Sequence, residues 1–202
     1  MVKKLNSYNI KLIVGLANPG DKYASTRHNV GSWFVRRLAN HYQKVWRKNS
    51  DIFGYTTELV ILGYHIWLLV PDTFMNKSGK SIDAIAKLYR LIPEQILVVH
   101  DDLNLPPGRA KFKIGGGSSG HNGLKNIISY FRNFKRLRIG IGYPSDRNKI
   151  TNYVLDTPSD LEMKLITSTI EEAIYCTIVF FQDGLMKAMT RLHTFNASNY
   201  VY

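Results

Sequence analysis

Cysteine is nearly missing from this chain: Cys176 is the single one in 202 residues, so no disulfide can close within it. Its place in an apolar helical run makes core packing its expected role, and a reducing compartment fits. Long apolar runs are missing as well. None approaches a membrane span, and the amino terminus carries Lys3 and Lys4 without an apolar stretch of signal-peptide length. The expectation is a soluble cytoplasmic protein with no membrane partner. Acidic residues are scarce, 15 against 27 Lys and Arg, which leaves a formal charge of +12. That balance suits a polyanionic partner such as nucleic acid, and a generally basic proteome is the plain alternative.

Several catalytic signatures are also absent. There is no G-x-S-x-G nucleophile elbow. The glycine-rich stretch from Gly115 to Gly123 lacks the Lys-Ser or Lys-Thr of a nucleotide-binding P-loop, and it follows an alternating charged strand rather than a dinucleotide-binding one. Repeats and low-complexity segments do not occur.

What is present is enough apolar material, 45% of residues, for one well-buried core, and a charged fraction of 21% that argues against disorder. Apolar runs at 10–16, 66–70 and 96–99 read as buried strands, and 53–62 with 65–70 reads as a hairpin across Gly63-Tyr64. Val30, Trp33, Phe34, Leu38 and Tyr42 share one helix face; Ile82, Ile85, Ala86 and Tyr89 share another. Residues 109–114 and 137–141 alternate as strands, 124–131 reads as helix, and 158–181 is the longest helix, ended by Gly184. The polar segment 144–151 reads as a loop. Strands alternating with helices predict an α/β fold: a single domain over residues 1–202, with a twisted, mixed but largely parallel sheet flanked by helices on both faces. Residues 1–8 are expected to be a loose extension.

Three strand-like runs lead into Asn18, Asn76 and Asp101, and ligand chemistry in open α/β sheets lies beyond the carboxyl ends of strands. His28 precedes the helix beginning near Val30, where the helix dipole disfavours protonation, while a carboxylate such as Asp101 would favour it. The neighbouring Asp102 is an equal candidate on local grounds. Asn18, Asn76 and Asn122 offer uncharged amides suited to a peptide backbone or a polarised carbonyl, although turn chemistry explains each alone. Arg109, Lys111 and Lys113, with Arg132, Lys135, Arg136, Arg138, Arg147 and Lys149, form a basic strip that can follow phosphates. Tyr23, Phe74 and Phe131 are available for base or ribose contact. His100, Asp101 and Asp102 read with His28 or His121 as metal ligands only if the strand kinks, since adjacent strand residues face opposite ways. His41, His65 and His193 lack polar company and read as structural.

The phrases Leu12-Ile-Val-Gly-Leu-Ala-Asn-Pro-Gly20, Thr26-Arg-His-Asn-Val-Gly31, Phe74-Met-Asn-Lys-Ser-Gly79, His100-Asp-Asp-Leu-Asn-Leu-Pro106 and Gly120-His-Asn-Gly-Leu-Lys125 occur in this order. Together they resemble bacterial peptidyl-tRNA hydrolase, and the resemblance runs over about residues 9 to 195. It implies cleavage of the ester between a peptide and the terminal ribose of tRNA, without metal or organic cofactor, in a protein expected to be a monomer with no obligate protein partner. By the same resemblance His28 is the general base, Asp101 orients it, and Asn122 positions water or stabilises the oxyanion. Asn18, Tyr23, Phe74, Met75, Asn76 and His121 are implied to surround the peptide and 3′ CCA end. Lys113 and Arg138 match the pair expected at the tRNA 5′ phosphate, with Lys111 and Arg147 as neighbours along the acceptor stem. Asn104, Ser119 and a shortened 130–135 stretch depart from the family pattern. Two rivals remain at this point: an RNA-binding module that lost hydrolysis, and a metal-dependent amidase acting on small peptides.

Overall fold

The structure, a computed structural model, describes residues 10–200; the extension expected at 1–8 lies outside the described residues. The chain runs β1 (Leu12–Gly15), α1 (Val30–His41), β2 (Arg47–Asn49), β3 (Gly54–Ile61), β4 (Tyr64–Pro71) and α2 (Ser78–Tyr89). It continues through β5 (Ile96–Asp102), β6 (Ala110–Ile114), α3 (Asn122–Ile128) and β7 (Lys135–Gly140), then α4 (Ile150–Val154), α5 (Asp160–Asp183) and α6 (Leu185–Thr194). All seven described strands join one sheet in the order β2-β3-β4-β1-β5-β7-β6. β1 pairs in parallel with β4 and β5, and β5 with β7, whereas β2/β3, β3/β4 and β6/β7 are antiparallel. This is the mixed, largely parallel sheet expected.

Each face of the sheet has its own apolar layer. Ile13, Leu97, Val99, Leu137 and Ile139 meet α1, α5 and α6 on one side; Leu12, Val14, Ile96 and Val98 meet α2 and α3 on the other. β1 and β5 are buried along their whole length, which explains their unbroken apolar runs. α1 buries Val30, Phe34, Val35 and Leu38 at helical spacing. α5, 24 residues long, starts in a reciprocal cap between Ser159 and Glu162 and stops at Gly184.

The sequence reading differs from the structure in five places, the first being α6, a helix after Gly184 where the reading has no element. Segment 144–151 is not all loop, because it leads into α4, a helix too short to show a periodicity. β2 is three polar residues at the sheet edge and leaves no alternating pattern. His193 is not without polar company: its Nε2 accepts the Phe112 N–H at 3.0 Å, satisfying an outward donor on edge strand β6. His65 likewise pairs with Glu58 at 2.7 Å.

The chain leaves β1, builds β4 on one side, then crosses to place β5 on the other. The carboxyl ends of β1, β4 and β5 therefore open together where the direction of winding reverses.

Candidate active site

A cleft of about 930 Å³ lies at that end of the sheet, lined by residues from the loops that follow β1, β4, β5 and β7 and from the segment before α3. β1 delivers Asn18, the segment after β4 delivers Phe74, Met75 and Asn76, β5 delivers His100, Asp101 and Asp102, and the start of α3 delivers His121 and Asn122. His28 comes from a 3-10 turn, Arg27–Asn29, that leads into α1.

Asp101 is the hub. Its Oδ1 lies 2.9 Å from His28 Nδ1 and 2.9 Å from His121 Nε2. A carboxylate only accepts, so both ring nitrogens donate. His121 Nδ1 accepts the main-chain N–H groups of Gly123 and Leu124 at 3.1 and 3.3 Å, which leaves Nε2 as the nitrogen that donates to Asp101. His28 donates from Nδ1, so its Nε2, which has no hydrogen-bond partner among the described residues, is the basic atom on the cleft wall. Burial lowers the pKa of His28, but the charge and hydrogen bond of Asp101 outweigh it and raise the group above its ordinary value. The influence opposing the carboxylate is thus burial, and the carboxylate prevails over it. Asp101 itself is pushed up by burial, yet His28 and His121 hold it far below the usual carboxylate range.

The ambiguity between the two aspartates is resolved by the strand pleat. Asp102 faces away from His28 and takes Arg138 Nε at 2.6 Å and the Asn104 N–H at 2.9 Å, which together hold it ionised against its burial. His100 shares that face; its Nδ1–H donates to the Asp101 carbonyl, and burial drives its pKa to about 3, so it stays neutral. Among the described residues, the side chains close enough together to meet a cation are therefore not three consecutive strand residues but His28, Asp101 and His121, whose ligand atoms lie within 4.8 Å of one another. A cation there would have to replace two N–H···O bonds to the same oxygen.

Asn18 Oδ1 accepts the Met75 N–H at 2.8 Å, tying the β1 and β4 loops together. Tyr23 and Phe74 meet edge to face, 6.4 Å between centroids, at the mouth of the cleft. Asn76 and Asn122 are exposed along it. Of the four basic residues singled out for phosphate, Lys113 and Arg138 line the cleft; Lys111 and Arg147 do not. Lys111 stands opposite Arg138 in the β6/β7 register, next door, whereas Arg147 lies in the turn before α4. Lys135 and Arg136 are buried and so leave the solvated strip drawn from sequence.

Other contributors carry little or no sequence signal. Tyr143, Ile150, Thr151, Val154 and Leu155, from α4 and the segments flanking it, also line the cleft. Arg27 braces the His28 turn from that side: it is buried, stacks 4.1 Å over Tyr153, pairs with Glu162 at 2.8 Å and reaches the carbonyls of Tyr153 and Asp156. Its only signal is its place beside His28. Cys176 is buried far along α5 and its thiol is pushed up to about 12, chiefly by burial, so it is no nucleophile.

The chain matches the family model described as peptidyl-tRNA hydrolase over residues 12–200. It is 55% identical over 191 residues to a peptidyl-tRNA hydrolase of Salmonella typhimurium, covering 93% of this chain and 98% of that one. A peptidyl-tRNA hydrolase of Escherichia fergusonii is 56% identical over the same span and shares. Among solved structures, a peptidyl-tRNA hydrolase from Acinetobacter baumannii superposes with a TM-score of 0.91 at 39% identity, covering 94% of this chain and 97% of that one. A peptidyl-tRNA hydrolase in complex with N-propanol gives 0.90 at 40% identity with the same shares.

Proposed function

The chain belongs to the peptidyl-tRNA hydrolase family and is an enzyme that hydrolyses peptidyl-tRNA, and we propose that His28 is the general base through which it does so. The observation that carries this reading is the shared Asp101 oxygen, which spends the Nδ1 proton of His28 and leaves Nε2 as a lone pair on the cleft wall.

In this mechanism Nε2 takes a proton from water as the oxygen attacks the ester carbonyl. The oxyanion accepts from the Asn122 side-chain amide. The imidazolium, held by Asp101, returns the proton to the ribose oxygen as the carbon–oxygen bond breaks, giving a tRNA hydroxyl and a peptide carboxylate, whose proton goes to solvent. No acyl-enzyme forms. Asn18 and Asn76 hold the peptide backbone, and Tyr23, Phe74 and Met75 enclose the substrate's end with His121 beside them. Lys113 and Arg138 grip the 5′ phosphate, with Lys111 and Arg147 following the acceptor stem. The enzyme works as a single domain and a monomer in the cytoplasm, without metal or organic cofactor.

His28→Ala is expected to lower turnover about a hundredfold to ten-thousandfold while leaving tRNA affinity nearly intact. Activity within a few-fold of the parent refutes His28 as base. Running the assay on N-acetylaminoacyl-tRNA with and without EDTA tests the rest: a loss of rate in chelator would put a cation at His28, Asp101 and His121 instead.

A further inference from the structure

Residues 115–120 join β6, which carries Lys113, to His121 and Asn122 at the start of α3. The segment has little stiffness of its own, with Gly116, Ser119 and Gly120 at φ of 94°, 49° and 83°. It is nevertheless held at several points. Gly115 N–H donates to the Phe134 carbonyl at 2.9 Å, and His121 N–H donates to the Ser118 carbonyl at 2.9 Å.

Between these anchors the loop is clasped by one side chain. Arg136 donates from Nη1 to the Gly117 carbonyl at 2.7 Å and from Nη2 to the Gly116 carbonyl. It is only 3% exposed, its guanidinium lies 4.8 Å over the Phe134 ring, and its Nε is buried without a partner among the described residues. No carboxylate among those residues pairs with it; its nearest charged company in the register is Lys113, directly opposite on β6. Keeping a cation buried is costly unless its hydrogen bonds are well used, and here they are used on two main-chain oxygens. A guanidinium committed in this way is not free to hold a phosphate.

We propose that Arg136 is a positioning residue: it fixes the glycine loop so that His121 stays on Asp101 and Asn122 stays over the reacting carbonyl. The assignment rests on the roles given to those residues under the proposed function. It predicts that Arg136 acts on the chemical step and not on tRNA affinity, in contrast to Lys113 and Arg138 on the same sheet face.

The test compares Arg136→Gln and Arg136→Lys with the parent on two substrates: full-length N-acetylaminoacyl-tRNA, and N-acetylaminoacyl-adenosine, which has neither acceptor stem nor 5′ phosphate. The expected result for Arg136→Gln is a fall in kcat on the order of tenfold to a hundredfold, by the same factor on both substrates. The salt dependence of KM stays unchanged, and amide hydrogen exchange quickens over residues 115–122 alone. Arg136→Lys keeps the charge but not the fork, so a smaller loss of the same pattern is expected; it carries the test if Arg136→Gln does not stay folded. A loss confined to the full-length tRNA, with a flattened salt dependence, overturns the proposal in favour of a phosphate contact. Full activity on both substrates overturns it outright. His28→Ala is run alongside: its inactivity with unimpaired Arg136 variants sinks only the loop assignment, whereas its activity sinks the general-base reading itself.

Discussion

Asn29 holds the main chain of Asn18 at both ends: its Oδ1 accepts the Asn18 N–H at 2.8 Å and its Nδ2 donates to the Asn18 carbonyl at 3.0 Å. Asn18 Oδ1 is engaged by the Met75 N–H, and the Nδ2 donor is the part of the side chain with no hydrogen-bond partner among the described residues. A donor suits the carbonyl of an N-blocked substrate, and an ammonium has no lone pair to meet it.

Asn18→Asp is therefore the informative change. It keeps an acceptor for Met75 and replaces the donor with negative charge, which repels a carbonyl and attracts an ammonium. The ratio of kcat/KM for N-acetylaminoacyl-tRNA over free aminoacyl-tRNA is expected to fall about tenfold to a hundredfold, the worth of one buried hydrogen bond left unmade. An unchanged ratio would show that Asn18 does not read the blocked amine.

With His28 as the proposed base, the acid limb of the rate profile is expected to report its titration. Because Asp101 raises its pKa, the active neutral form appears only above the ordinary value of 6.5, and kcat/KM should rise with pH through that raised value. Asp101→Asn removes both raising influences and leaves burial, which lowers the pKa, so the limb moves to lower pH. The plateau should also drop by about a hundredfold or more, since an amide neither fixes the tautomer nor stabilises the imidazolium. A pH–rate series on both proteins checks the direction; a limb that stays in place removes Asp101 as partner.

Much of this site is legible in the sequence. The buried runs of β1 and β5 and the alternation of β6 followed from patterning, and they placed Asn18 and Asp101 at strand ends. What patterning could not supply was orientation. Asp101 and Asp102 are equivalent in sequence, and only the pleat sends one to His28 and the other to Arg138. Arg136 and Arg138 are likewise two residues apart on one strand and both reach the cleft, yet the first is buried with its guanidinium on the loop carbonyls and the second, half-buried, pairs with Asp102. Composition counts charges, whereas burial, set by neighbours far along the chain, decides what each does. α4 was hidden for another reason: five residues are too few to display a helical period.

Lys113 and Arg138 both face the cleft, but their removal should not look alike. Taking away either cation is expected to flatten the log–log salt dependence of KM by about 0.7, the share of one phosphate. Lys113 is exposed and Lys113→Ala should do little else. Arg138→Ala also strands the buried Asp102 carboxylate, which is expected to lower stability by about 1–3 kcal/mol. Salt titrations beside urea melts separate the two effects. Equal melts would mean that Asp102 is satisfied without Arg138.

Gly31 sits where α1 meets the sheet, one turn after His28. A Cβ there would lie 2.3 Å from the Val99 carbonyl oxygen and 2.6 Å from the Leu16 nitrogen, the two atoms that carry the hydrogen bond between β1 and β5 at 3.0 Å. These atoms are main chain and cannot swing aside, so the helix start must lift off the strand ends. Gly31→Ala is expected to destabilise by about 1–3 kcal/mol, a fall in Tm of about 2–4 °C for each kcal/mol. Because the lifted turn carries His28 away from Asp101, kcat should fall as well and the acid limb should move toward lower pH, as in Asp101→Asn. A variant that loses Tm but keeps the parent's pH profile would show that the His28–Asp101 pair is held by the Arg27 brace rather than by the seating of α1.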